Sequence, residues 1–327
     1  MTSVPYETRD FNFGNPWGVG NGSAQIDVSL PELLHAAITV GHPRWPVPPK
    51  GQRIAALAEC LWKVSAVMMT VRGDGRHFYS TDRFEGLDPS EKQGAMYQLG
   101  QTVTKLFAQR LFGASHLLHL DVYRRHLDPQ FQPGSRSRPD LVGLDLSDRW
   151  LVFESKGRSS KPTDGEIAKA KQQAQRVVSI NNNPPALRAA TIGYFHYLDS
   201  YASNRRLQAV IADPEGTSDC SPLRLQIPVE QLMQLYYAPL MPLFIEARGS
   251  DETGGVSYWY FEDLDLRFGI ASELAALLRN GAYKDVWPWI KNNIRTLREK
   301  TEGGLAYDGV AILPGEKWID MMEKSKE

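Results

Sequence analysis

Cysteine is nearly missing from this chain: Cys60 and Cys220 are the only two among 327 residues. Two isolated thiols so far apart give neither a zinc site nor a disulfide framework, a usage that suits a reducing cytosol. An excess of either charge is missing too. Thirty-seven Lys and Arg against 38 Asp and Glu leave a formal net charge of -1. That excludes a generally basic nucleic-acid coat. No apolar run approaches the ~18 residues of a membrane span. The first twenty residues, "MTSVPYETRDFNFGNPWGVG", have neither the basic nor the apolar region of a signal peptide. The expectation is a cytoplasmic chain that does not enter a membrane. Gly18, Gly20 and Gly22 follow no apolar strand and fit neither common phosphate-loop fingerprint. No nucleotide cofactor is expected.

What is present sharpens along the chain. Residues 1–50 are rich in Gly and Pro, with one short helical segment at "PELLHAAITV", and "QRIAALAECLWKVSAVMMTV" reads as a buried helix. From residue 90 a long helix starts at an expected N-cap, Ser90, and ends at Gly113. Residues 116–123, "HLLHLDVY", read as a strand, and two more follow in "RPDLVGLDLSDRWLVFESKG" (138–157). A helix is expected over 164–180, with Ile167, Ala170, Ala174, Val177 and Val178 on one stripe. Residues 188–198 and 207–216 read as strands. This order implies an α/β fold, with a mixed central sheet flanked by helices. The C-terminal third reads as helices around a strand pair in "VSYWYFEDLDLRF". The expected division is an N-terminal elaboration (1–88), a core (89–216) and a C-terminal mixed region (217–327).

The stretch 138–157 carries carboxylates where buried strands do not want them. With the turn centred on Asp148, antiparallel pairing sets Val142 opposite Glu154 and Asp140 opposite Lys156. Glu154 and Lys156 share a face, because side chains repeat with period two. Asp140 then lies diagonal to Glu154, about 7–8 Å away or less. Two carboxylates can converge on one hard cation, with an ammonium beside them. Mg²⁺ keeps several waters, so two carboxylates suffice as anchors. Such a cation polarises a phosphoryl oxygen and acidifies water, and the ammonium can orient that water and offset charge.

Pro139-Asp140, thirteen intervening residues, then Glu154-Ser155-Lys156 resemble the PD-(D/E)xK nuclease superfamily. The motif covers 140–156, and roughly 90–215 if element order is included. The resemblance implies a restriction-endonuclease-like core. It also implies Asp140 and Glu154 as metal ligands, the Ser155 carbonyl as a further ligand, and Lys156 as the residue assisting the attacking water. The implied cofactor is Mg²⁺, with Mn²⁺ as a substitute. One branch of the superfamily places a glutamine on the following helix, and Gln173 fits it, with Ala174 and Val177 behind. Gln101 is the nearest equivalent of a first-helix glutamate, and would hold a second metal less well.

Charge around the hairpin is uneven. From Arg124 to Arg176 there are eleven Lys and Arg against seven Asp and Glu. Arg136, Arg138, Arg158 and Lys161 are candidates to track a phosphate backbone. The expected partner is nucleic acid, DNA before RNA, with a protein partner or a second copy of the chain also open. The competing expectation is a nuclease-like fold that has lost cleavage and binds nucleic acid or protein. His116 and His119 fall on opposite strand faces, which argues against a histidine metal cluster.

Overall fold

Long apolar runs need partners on both faces, and in this chain they find them in one sheet. The computed structural model describes residues 1–41, 53–123, 138–197, 205–214, 222–245, 251–301 and 304–323. The first part of the chain gives β1 (Thr2–Arg9), β2 (Gly22–Val28), α1 (Leu30–Thr39), α2 (Arg53–Thr70), β3 (Val71–Gly73), β4 (Phe78–Ser80) and α3 (Asp82–Glu85). Next come α4 (Pro89–Phe112), β5 (Ala114–His119), α5 (Leu120–Tyr123), β6 (Leu141–Asp145), β7 (Trp150–Arg158), α6 (Asp164–Ala174), β8 (Val177–Ile180), β9 (Leu187–His196) and β10 (Arg206–Ala212). The last part gives β11 (Leu223–Leu225), α7 (Val229–Tyr237), α8 (Met241–Ile245), β12 (Asp251–Thr253), β13 (Val256–Phe261), β14 (Leu266–Ala271), α9 (Ser272–Arg279), α10 (Tyr283–Lys300), β15 (Val310–Pro314) and α11 (Glu316–Glu323).

The fold is α/β, with a mixed central sheet flanked by helices. Its main path runs β2-β1-β10-β9-β7-β6-β5, with β3 and β4 joined through β10. β5, β6 and β7 form an antiparallel meander, and α6 then carries the chain over to β9, which pairs parallel to β7. The N-terminal β1 pairs parallel to β10, so the first residues extend the same sheet. β12 to β15 form a separate four-stranded antiparallel sheet in the C-terminal third.

Three apolar clusters divide the interior. On one face α4 packs Leu99, Val103 and Phe107 against Leu151, Phe153 and Ala189. On the other face α6 packs Ile167 and Ala170 against Ala190, Ile192 and Val210. Beside that second cluster, Val142 and Val152 join Tyr236, Tyr237 and Trp287 of the C-terminal third in one larger core. Gly157 permits the α4 packing, since a Cβ there would lie 1.7 Å from the Met96 carbonyl oxygen. Helix and strand backbones therefore meet directly just beyond Lys156.

Several expected boundaries move. The N-cap of α4 is Asp88, not Ser90, and its carboxylate accepts from the Ser90 amide at 2.8 Å. Gly113 ends the helix as expected, in the left-handed conformation (φ 67°). α6 stops at Ala174 and not at 180. The β-branched run after it, Val177-Val178-Ser179-Ile180, leaves the helix and pairs parallel with β11, so Val177 belongs to the larger core and not to the α6 stripe. The strand expected over 116–123 ends at His119, where α5 begins.

Candidate metal and phosphodiester site

The hairpin register differs from the expected one by two residues. Leu141 pairs with Phe153 and Leu144 with Trp150. Asp145 is the cause: its Oδ1 accepts from the amides of Ser147 and Arg149, each at 2.9 Å. The turn therefore centres on Ser147, and Asp148 takes the left-handed position (φ 63°). Asp148 then reaches outward to α10, accepting from Trp287 Nε1 and Lys291 Nζ, both at 2.6 Å. A two-residue shift keeps every side chain on its face. Continuing the ladder one pair beyond Leu141 sets Asp140 directly across from Glu154, not from Lys156.

The two carboxylates have different surroundings. Asp140 is half-buried at the head of β6, and its Oδ2 accepts from the Ser155 amide at 2.9 Å. Glu154 is fully buried. It neighbours Val152 of the larger core along β7 and Ala190 of the α6 cluster across to β9. The Lys156 ammonium forms an ion pair with Glu154 Oε1. Besides Lys156, only the Asp140 backbone offers the Glu154 oxygens a donor among the described residues, and that contact is poorly directed. Burial, then the facing Asp140, push the Glu154 carboxyl up to about 8, against the pull of Lys156. Asp140 is pushed up as well, chiefly by burial, against the pull of Lys156 and the Ser155 amide. Two desolvated carboxylates side by side resist ionisation until a cation joins them.

Ser155 stands between Glu154 and Lys156, and its side chain points to the opposite face and accepts from Thr104 Oγ1 of α4 at 2.9 Å. Lys156 is about one-third exposed, so its ammonium borders both the buried carboxylate and the surface. The oxygen set suits a hard divalent cation: two carboxylates side by side, and the Ser155 carbonyl next to Glu154 in sequence. Among the described residues no three or more His, Cys, Asp or Glu side chains cluster as a ligand set. No described helix is long and apolar enough to cross a membrane.

No family model, curated protein or solved structure matches this chain.

The remaining expected residues scatter. Gln173 is half-buried on α6. Glu166, on the same edge of that helix, ion-pairs with Arg158 at the end of β7, while Lys171 on the opposite edge pairs with Asp10. Gln173 thus lies on the edge facing β7. Its side chain makes no hydrogen bond to Asp140, Glu154 or Lys156 among the described residues. Gln172 is exposed and lines a cleft with Asp10. Arg138 is ion-paired with Asp121, and Lys161 is exposed. Arg136 lies outside the described residues. Gln101 is buried on α4, and neither end of its amide has a partner among the described residues.

Two neighbours of Asp140 come from elements that spacing alone does not link to it. Tyr97 of α4 and His119 at the end of β5 meet through Tyr97 Oη and His119 Nε2 at 3.0 Å. Burial and then Asp140 push the Tyr97 hydroxyl up to about 12, whereas burial holds His119 below its usual value despite Asp140. His116 sits on the other face, against Tyr237 Oη at 2.9 Å. The period-two argument separating the two histidines agrees with their placement.

Proposed function

We propose that this chain is a divalent-cation-dependent nuclease of the PD-(D/E)xK kind, hydrolysing phosphodiester bonds in nucleic acid, with DNA as the preferred substrate. One observation carries the reading: a fully buried Glu154, opposite Asp140, whose only facing donors among the described residues are the Lys156 ammonium and the Asp140 backbone. A structural carboxylate in such a place would be surrounded by donors. The order α4-β5-β6-β7-α6-β9 supports the same reading, being the element order on which the resemblance rests.

Asp140, Glu154 and the Ser155 carbonyl would hold Mg²⁺ or Mn²⁺. When bound, the cation supplies polarisation of a phosphoryl oxygen and acidification of water. Glu154 would have to be deprotonated to hold the cation, so loading would become more favourable as pH rises toward 8. Lys156 orients the attacking water and offsets negative charge that builds on the phosphate. The attacking water gives up a proton to solvent as its oxygen joins phosphorus, one ester P–O bond breaks, and the departing oxygen takes a proton from solvent. Arg158 and Lys161 flank the strand end. Arg158 and Arg138 already face carboxylates, so phosphate contacts there exchange an internal partner for an external one.

The test uses plasmid and linear single-stranded DNA with EDTA, Mg²⁺ or Mn²⁺. Glu154→Gln should abolish divalent-dependent cleavage and leave the fold intact. Lys156→Ala should retain Mn²⁺ binding by calorimetry yet cut on the order of 10²–10³ more slowly. Cleavage by Glu154→Gln at the wild-type rate rejects the site.

A further inference from the structure

A second pocket lies far from the carboxylate pair. It is a cavity of about 670 Å³, bounded by α1, the last turns of α4, the end of α10 and β15. That volume falls in the range of small-molecule sites. Its inner wall is apolar, including Leu106, Leu305, Val310 and Ile312. Three arginines, Arg110, Arg295 and Arg298, stand in its lining, and two of them carry guanidinium nitrogens without an acceptor among the described residues. Arg298 is anchored by Nε to the Leu305 carbonyl at 2.6 Å and stacks on Tyr307, its guanidinium carbon 3.7 Å from the ring centroid. Both terminal nitrogens of that fork have no acceptor among the described residues. Arg295 is exposed and has no ion-pair partner among them. The Gln109 Nε2 is buried without a hydrogen-bond partner. The one glutamate in the lining is already engaged. Glu32 Oε2 accepts from the Ser29 amide and hydroxyl at 2.9 and 3.0 Å, and Oε1 pairs with Arg110.

An apolar pocket edged by unsatisfied donors is complementary to a molecule with an apolar body and an anionic head. A preset guanidinium fork, stacked and tethered at one nitrogen, suits a planar or tetrahedral oxyanion. A buried amide donor without an acceptor is costly unless something arrives to satisfy it. We infer that this cavity binds a small organic anion, its anionic group held by Arg298, Arg295 and Gln109 and its apolar body against Leu106, Val310 and Ile312. The site shares no residue with the carboxylate pair. Gln109 stands twelve residues beyond Tyr97 on α4, about 18 Å along the helix.

Isothermal titration of the full chain in EDTA with 1-naphthyl phosphate tests this, with inorganic phosphate and 1-naphthol as its two halves. The expected result is one saturable site per chain, with each half at least about tenfold weaker. Arg298→Gln should weaken binding about tenfold or more, the scale of one lost charge-assisted contact. Arg295→Gln, at an exposed position that folding does not need, should weaken it in the same direction. Lys156→Ala should bind as wild type does. Three results overturn the assignment: no saturable binding, binding unchanged in both arginine variants, or binding lost in Lys156→Ala.

Discussion

Two buried carboxylates in this molecule differ in one respect only, the company they keep. Asp308 and Glu154 are both fully buried. Asp308 has a donor for every lone pair that matters. His35 Nε2 lies 3.0 and 2.9 Å from its two oxygens, Tyr236 Oη donates at 2.5 Å, and the Val310 amide donates at 3.1 Å. Burial alone would raise it, but His35, Lys105 and His116 hold it far below the usual carboxylate range. Glu154 has one ammonium, a weak contact from the Asp140 backbone and a second carboxylate opposite, and is pushed up to about 8. The same burial therefore leaves one carboxylate a charged rivet and holds the other toward its protonated form. Buried charge by itself does not mark a functional site; on the proposed reading, what distinguishes Glu154 is how few donors it has.

Breaking the rivet should have the largest effect. Asp308→Ala leaves His35 and the Tyr236 hydroxyl without their acceptor and Lys105 without its nearest buried counter-charge. Removing one member of such a buried network costs about 3–5 kcal/mol. Urea unfolding should register that loss. A change below about 1 kcal/mol would mean the network relaxes and that Asp308 is not what holds α1, α7 and β15 together.

Removing the other carboxylate should act in the opposite direction. Because the folded-state value of Glu154 is raised, the folded state keeps a proton that the unfolded chain releases. Stability then falls as pH climbs from about 4.5 to 8, since protons bound by the unfolded state minus those bound by the native state is negative there. Glu154→Gln removes that penalty. Its Tm in EDTA should exceed that of wild type by about 3–6 °C at pH 8 and match it near pH 4.5. Added Mn²⁺ should raise the Tm of wild type and leave the variant unmoved. A variant less stable than wild type at pH 8 would show that the Lys156 ion pair outweighs the desolvation of Glu154.

The same contrast explains what could be read from the sequence. Asp140, Glu154 and Lys156 stood out because charges interrupted apolar strands, and period two placed two of them on one face. The register was missed by two residues, because the decisive bonds run from the Asp145 side chain to backbone amides. β1 and β2 were hidden by Gly- and Pro-rich composition, and β2 is an edge strand largely exposed, without an apolar face to betray it. The Asp308 network draws on α1, α4, β5, α7 and the approach to β15. Each member alone looks like an ordinary polar residue, so no local spacing announces it. Tyr97 and His119 were invisible near Asp140 for the same reason.

The smallest expected effect concerns the two adjacent glutamines on α6. The Glu166–Arg158 ion pair orients one edge of that helix toward the end of β7, and Gln173 lies on that edge. Lys171 and Asp10 turn the other edge toward the end of β1. Gln173 is half-buried, and on the proposed nuclease reading its amide would serve a scissile phosphate or a water beside Lys156. Gln172 faces the cleft by Asp10, away from β7. Gln173→Ala should therefore slow cleavage about tenfold, the scale of one placed polar contact. Gln172→Ala should leave the rate within about twofold on the same reasoning. Neither should move the Tm by more than about 1–2 °C, since neither side chain fills the core. Rates measured under single-turnover conditions with saturating Mg²⁺ compare the two directly. Equal, negligible effects would confine the site to Asp140, Glu154 and Lys156. The reverse order would mean that nucleic acid approaches α6 from the β1 side.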